Sequence, residues 1–489
     1  MTAERNRARP SFPPLTHEWD ADLASANPLR FPGYDAPAPQ DESVRTGVAP
    51  HPRGPIAVVE CRFDRHGGTM GVAAGERIVR AFGRAREAGL PVAAFVASGG
   101  ARLQEGMLAL TQMARTAGAV GRFRGGCLPF AAVLRPHTTG GVYASWASLA
   151  DVLAAEPGAT IGFGGPRVVE QVTGSLPPRD SHTAEAAYAQ GRVDALVGPE
   201  AQWAWLGDVL YGPGPALRLP PGRPRPTAPR AVPRDAWDAV LHARDPSRPS
   251  GLEWSALLTE GWVELRGADP AVRAGLAVMA GERIVVVAMD RHAHGDASAR
   301  VLPAGYRLAQ RAFALAERLR LPVLALIDTP GAEPGPAAEA DGLAGEIAQT
   351  LLVMSGLTVP TVAVCVGEGG SGGAMAFAHA DRLLALEGSV FSVIGPESGA
   401  AVLYRDASRA PELARSFRLT AAELARLGVV DDVLADGDVG AVRSAVVAAL
   451  REARPGERDA RVDRLARGQL RVMPGESRMI RFETKGMVG

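Results

Sequence analysis

The chain repeats itself at a fixed interval. Leu90-Pro91-Val92 returns 231 residues later as Leu321-Pro322-Val323. Ala81, Phe82 and Ala85 fall on Ala312, Phe313 and Ala316, Pro129 on Pro360, and Gly141 on Gly372, all at 231. Ala150-Asp151 meets Ala380-Asp381 at 230. One such pair carries nothing, but a spacing held from residue 81 to residue 151 marks a duplicated unit. The two copies must fold alike.

Inside each copy, short apolar runs alternate with stretches of helical spacing. In the first, Ile56 to Phe63, Leu90 to Val96 and Leu128 to Leu134 read as strands. Ala73 to Ala88 and Met107 to Arg122 read as helices. In the second, strands are expected at Ile284 to Met289, Leu321 to Ile327, Thr361 to Val366 and Ser389 to Ile394, with helices at Tyr306 to Arg320 and around Leu343 to Met354. Such alternation predicts α/β domains with parallel strands. The expected limits are 55–205 and 255–435. Residues 1–54, rich in proline, read as an arm. Residues 206–254 read as a linker, centred on Pro213 to Pro233, and a connecting helix; 436–489 read as a helix and tail.

Chemistry points first to Gly367-Glu-Gly-Gly-Ser-Gly-Gly373, five glycines in seven residues between a strand and a small-residue helix from Ala374 to Ala380. Glycine permits backbone angles closed to other residues, and unpaired N–H groups at a helix start attract negative charge. Three readings compete. Gly367-x-Gly369-x-x-Gly372 satisfies a dinucleotide fingerprint, with Glu387 near the place of a ribose-binding acid. The turn is equally an anion or oxyanion cradle, or a tight, closely packed turn. A Walker loop is excluded, because no lysine follows the glycines. The duplication weakens the dinucleotide reading. A Rossmann turn follows the first strand of its unit, whereas this one lies deep in the repeat, and its counterpart His137-Thr-Thr-Gly-Gly141 has no such fingerprint.

Composition narrows the classes. Net charge is zero, so no general attraction to nucleic acid or anionic membrane is expected. No window approaches twenty apolar residues, so no membrane span is expected. Lys485 is the one lysine, which leaves Schiff-base chemistry and biotin attachment only that residue, outside the usual Met-Lys-Met setting. Cys61, Cys127 and Cys365 are scattered and odd in number, against a disulfide framework or a zinc ribbon. No signal peptide is visible at Met1 to Pro14, and a cytoplasmic location and no metal are expected.

The longer motifs carry a resemblance. Ser98-Gly-Gly-Ala-Arg-Leu-Gln-Glu-Gly106, Thr138-Thr-Gly-Gly-Val-Tyr-Ala-Ser145 and Ile161-Gly-Phe-Gly-Gly-Pro-Arg-Val-Val-Glu170 resemble the beta subunit of bacterial acetyl-CoA carboxylase carboxyltransferase. Ile327-Asp-Thr-Pro-Gly-Ala-Glu-Pro-Gly335, Gly367-Glu-Gly-Gly-Ser-Gly-Gly-Ala374 and Ser392-Val-Ile-Gly-Pro-Glu397 resemble its alpha subunit. The order is beta, then alpha. The resemblance implies tandem crotonase-like domains. It implies transfer of a carboxyl group from carboxybiotin, held on a separate carrier protein, to a CoA thioester, with acetyl-CoA the default substrate and propionyl-CoA the other candidate. Malonyl-CoA for fatty acid biosynthesis would be the product. No side-chain base is required; the biotin nitrogen takes the proton, and backbone N–H groups hold two oxyanions.

By this resemblance Gly99 and Gly100 hold the thioester oxygen, and Gly372, Gly373 and Ala374 the biotin ureido oxygen. Ala101, Gly140, Gly141, Gly164, Gly165, Gly331, Gly369 and Gly370 line the binding turns. Arg102 and Arg307 are candidates for the CoA phosphates. Glu105 reads as a turn-stabilising acceptor. His137 reads as a base or as a strand-end packing residue. The implied partners are a biotin carboxyl carrier protein and a biotin carboxylase. The shared-site architecture implies a homodimer or hexamer. The four-cysteine zinc ribbon usual in the beta subunit has no counterpart. A biotin-independent acyl-thioester decarboxylase and a non-catalytic scaffold remain alternatives. The retained glycine turns favour the transferase.

Overall fold

The computed structural model describes residues 12–467 except 28, 179, 225–232, 234 and 296–298; Lys485 lies outside the described residues. Each copy is built on an eight-stranded sheet. The first comprises β1 (His17–Trp19), β2 (Val44–Ala49), β3 (Ile56–Cys61), β4 (Val92–Ser98), β5 (Phe130–Thr139), β6 (Val152–Ala155), β7 (Ile161–Gly162) and β8 (Ala195–Leu196), in the order β1-β2-β3-β4-β5-β6-β8 with β7 beside β5. The second comprises β9 (Gly261–Leu265), β10 (Val272–Met279), β11 (Glu282–Met289), β12 (Val323–Thr329), β13 (Thr361–Gly370), β14 (Arg382–Leu386), β15 (Val390–Ser392) and β16 (Asp432–Leu434). Its order mirrors the first, with β15 beside β13.

From β3 to β8, and from β11 to β16, pairing is parallel; the strands before them pair antiparallel. Every residue of β3, β4, β12 and β13 is buried. That suits parallel strands covered on both faces. Helices Val72–Glu87 and Gly106–Arg124 cover one face of the first sheet. Pro303–Leu319 and Leu343–Gly356 cover the equivalent face of the second.

β1 and β2 arise from the stretch read as an arm. The first sheet therefore begins well before residue 55, and Phe12 and Ala49 are part of the core. β2 hides from pattern reading because Gly47 interrupts it. Its missing side chain admits β1, since a Cβ there would lie 2.2 Å from His17 O.

The copies are fused by a common core. One apolar cluster runs from Ile56, Phe95 and Val133 through Leu206 to Leu276, Val287 and Phe313. Ion pairs reinforce it. Arg311 of the second copy holds both carboxylate oxygens of Asp194 at 2.8 Å, and Arg318 pairs with Asp151. The duplication extends to single bonds. Asp151 accepts from Phe130 N at 2.7 Å, and Asp381 from Thr361 N at 3.0 Å, each tying down the start of the long central strand.

Candidate functional site: two paired glycine turns

β4 and β5 lie in parallel register, Ser98 opposite Thr138, so the turns that follow them meet at the carboxyl edge of the sheet. Gly100 has φ +105° and Gly140 φ +70°. A Cβ on Gly140 would sit 2.9 Å from Gly100 Cα. Both positions thus require glycine, for conformation and for close approach. The loop after β7 closes on them: Gly140 N donates to Phe163 O at 2.9 Å, and a Cβ on Gly165 would be 4.0 Å from Thr139 Oγ1. This brings Gly164 and Gly165 alongside Gly140.

The donors are not those expected. Gly99 N donates to Gly67 O at 2.9 Å, and Gly100 N to Ser98 Oγ at 3.0 Å. Neither can hold a substrate oxygen while so engaged. Ala101 N makes no hydrogen bond among the described residues. It lies 3.7 Å from the Cβ position of Gly141, the second residue of the helix Gly140–Tyr143, whose N–H has no partner within its helix. Ala101 and Gly141 are thus the pair able to stabilise an oxyanion here.

The second copy repeats the device. Thr329 Oγ1 accepts from Gly331 N at 3.1 Å, as Ser98 does from Gly100. Gly331 has φ +129°, and Ser371, at the place of Gly140, φ +59°. A Cβ on Gly370 would lie 2.6 Å from Gly331 N, and one on Gly369 2.3 Å from the Phe391 ring. Gly369 and Gly370 thus let the turns pack together. Ala332, counterpart of Ala101, again has an N–H without a partner among the described residues. The helix Ser371–Ala378 presents the N–H groups of Gly372 and Gly373. Ala374, as its fourth residue, is the first whose N–H is used within the helix, which removes it as a donor. Gly372 is open, with nothing within 4 Å of its Cβ position; that of Gly373 is 2.5 Å from Ala332 N and 2.8 Å from Tyr306 Oη.

Of the charged candidates, Arg102 is corrected. Arg102 is 1 % exposed and bound to Glu42, Glu105 and Tyr34. Burial alone would lower its pKa, but its bonds to Glu42 hold it above the ordinary value. It braces the turn and cannot reach a phosphate. Arg307 is exposed, but Asp341 and Glu346 already match its charge. Glu105 accepts from Val72 N at 2.6 Å and Tyr34 Oη at 3.0 Å, which fits a turn-stabilising acceptor. His137 stacks on Phe63 with ring centroids 5.1 Å apart, the packing role.

The residue reading missed Ser98, Thr329, Ala332 and Tyr306. The first three were within reach, since the interval of 231 puts Ser98 on Thr329 and Ala101 on Ala332. It also missed Arg244, which bridges Glu368 at 2.7 Å and Glu397, fastening β13 to the helix Pro396–Tyr404. Among the described residues there is no cluster able to hold a metal ion, and no helix long and apolar enough to cross a membrane.

Residues 35–192 match the family described as carboxyl transferase domain, and 233–455 that of acetyl co-enzyme A carboxylase carboxyltransferase-like proteins. The chain is 45% identical over 433 residues to the acetyl-coenzyme A carboxylase carboxyl transferase subunits beta/alpha of Salinispora arenicola, covering 82% of this chain and 76% of that one. It is 38% identical over 435 residues to a probable biotin-dependent acyl-coenzyme A carboxylase beta3 subunit of Mycobacterium tuberculosis, covering 87% and 85%. The fold is similar to that of the transcarboxylase 12S hexamer core, with TM-score 0.71, 20% identity and coverage of 91% and 85%. The chain therefore belongs to the acetyl-CoA carboxylase carboxyltransferase family, as an enzyme with beta-type and alpha-type halves fused in one polypeptide.

Proposed function

We propose that this enzyme moves a carboxyl group from carboxybiotin, carried on a separate protein, to acetyl-CoA, giving malonyl-CoA for fatty acid biosynthesis; propionyl-CoA is the alternative acceptor. The reading rests on one observation: each half holds a glycine-lined turn pair with N–H groups that make no hydrogen bond among the described residues. In the first half, Ala101 and Gly141 hold the thioester oxygen as the enolate develops, with Gly99, Gly100 and Gly140 shaping the turn. In the second, Ala332, Gly372 and Gly373 hold the ureido oxygen, shaped by Gly331, Gly369 and Gly370. Carboxybiotin supplies the carboxyl group; the protein supplies fixed dipoles, each worth about 3–4 kcal/mol of barrier.

Two turn pairs acting on one transfer must face each other, and exposed apolar side chains favour two chains supplying them. Phe163, Val168 and Val172 stand beside the first turn pair, and Val393, Val402 and Leu403 occupy the matching place in the second half. A second copy, packed so that the first half of one chain meets the second half of the other, covers both sets in a dimer that larger rings can repeat. A biotin carboxyl carrier protein and a biotin carboxylase would supply the carboxylated carrier. The free thiols Cys61, Cys127 and Cys365 accord with a reducing cytoplasm.

The test is decarboxylation of malonyl-CoA and of methylmalonyl-CoA by the purified chain, each with and without free biotin. Turnover only with biotin, faster for malonyl-CoA, supports the reading. Faster turnover of methylmalonyl-CoA moves the acceptor to propionyl-CoA. Turnover without biotin makes the protein a biotin-independent decarboxylase, and none with either leaves the scaffold.

A further inference from the structure

Tyr306 lies in the helix Pro303–Leu319, fully buried beneath the second glycine turn. Its ring is held by Phe377 of the Ser371–Ala378 helix, centroids 5.5 Å apart. Its hydroxyl has no hydrogen-bond partner among the described residues. Buried polar groups are nearly always paired, and an unpaired one costs stability. The hydroxyl and the unpaired Ala332 N–H both lie against Gly373, 2.8 Å and 2.5 Å from the position a Cβ would take there, so a side chain at 373 would crowd both. Burial, with Asp269 nearby, raises the phenol's pKa, which keeps its proton available for donation. The first copy serves as an internal control. At the interval of 231 its residue is Gly75, and the side chain of Gln112 packs where a side chain there would go. The hydroxyl belongs to the second turn pair only.

We propose that Tyr306 Oη is a third donor of the second cradle, hydrogen-bonding the ureido group of biotin together with Ala332 N and the N-terminus of the Ser371–Ala378 helix. This rests on the assignment of that cradle to biotin. The hydroxyl then goes unpaired in the empty enzyme because its acceptor arrives with the substrate. A strong acceptor at that position satisfies it best, so a ligand that replaces the ureido oxygen with a weaker acceptor loses most of the contact.

The test is Tyr306→Phe, which deletes one oxygen and keeps the ring that packs on Phe377. Three quantities are compared with wild type: melting temperature, affinity for free biotin by calorimetry, and kcat and KM for biotin-dependent malonyl-CoA decarboxylation. The proposal expects an equal or higher melting temperature, an unchanged KM for malonyl-CoA, biotin affinity weakened several-fold, and kcat lower by about 10²-fold, the usual effect of losing one oxyanion donor. Wild-type biotin binding and turnover retained in the variant overturn the proposal and leave the biotin assignment standing. Wild type that neither binds biotin nor needs it overturns both. 2-Thiobiotin, whose ureido oxygen is replaced by the much weaker acceptor sulfur, separates a donor from a packing residue: wild type and variant should bind it nearly equally. A wild-type preference as large as that for biotin contradicts the donor role.

Discussion

Gly100 and Gly140 are in backbone contact across two strands: a Cβ on Gly140 would lie 2.9 Å from Gly100 Cα and 3.1 Å from Gly99 O. Neither atom belongs to a flexible side chain, so Gly140→Ala must push the turns apart while forcing alanine to φ +70°. Loss of at least 100-fold in turnover is expected, with a lowered melting temperature. Gly158 is the control. It has a similar φ, +74°, but nothing within 4 Å of its Cβ position. Gly158→Ala should cost about 1 kcal/mol and leave turnover intact.

The halves should come apart through Asp194. Its carboxylate accepts from Leu153 N, Arg266 N and both terminal nitrogens of Arg311, and it is buried. Asp194→Ala strands the buried Leu153 N–H, the part-buried Arg266 N–H and the partly exposed Arg311. A loss of about 3 kcal/mol is expected, read as a lower urea midpoint.

Asp328 predicts a pH dependence. Burial raises its carboxyl to about 6, although Arg291 lies 3.8 Å away and Glu368 N donates to it at 3.0 Å. Arg248 favours the charged form and Glu368 opposes it. With the folded pKa above the unfolded value, the fold favours the neutral acid. That stability is fully present below about 4 and is lost as pH rises through 6. Asp328→Asn keeps the acceptor for Glu368 N without the charge. Its stability, followed by melting temperature, should gain on wild type as pH rises from 4.5 to 7, by at most about 3 kcal/mol of free energy. A constant difference across that range contradicts the assignment.

Association follows from the exposed apolar sets. Sedimentation at micromolar concentration should show no substantial monomer. Val172→Glu with Val402→Glu should release monomer and abolish turnover together. A stable, active monomer would refute the shared-site arrangement.

Much of the architecture was legible because duplication and strand–helix alternation are local patterns. Turn positions were legible because Gly100, Gly140 and Gly331 need conformations that other residues resist. What escaped depends on contacts distant in sequence. Arg102 looks like a free cation until Glu42, sixty residues earlier, is folded against it. Gly99 and Gly100 look like donors until Gly67 O and Ser98 Oγ take their N–H groups. Tyr306 reads as a core aromatic, since a missing partner has no sequence signal.

We assign the second glycine turn to biotin and the first to the acyl thioester. Gly373→Val would strike that assignment, but its Cβ would sit 2.5 Å from Ala332 N and disturb the turn itself. Gly372→Val is the cleaner variant, because its Cβ meets nothing within 4 Å. We would measure acyl-CoA affinity and biotin-dependent malonyl-CoA decarboxylation side by side in that variant. Unchanged affinity, with turnover reduced by at least about 10²-fold, is the expected result. Turnover equal to wild type would contradict the account.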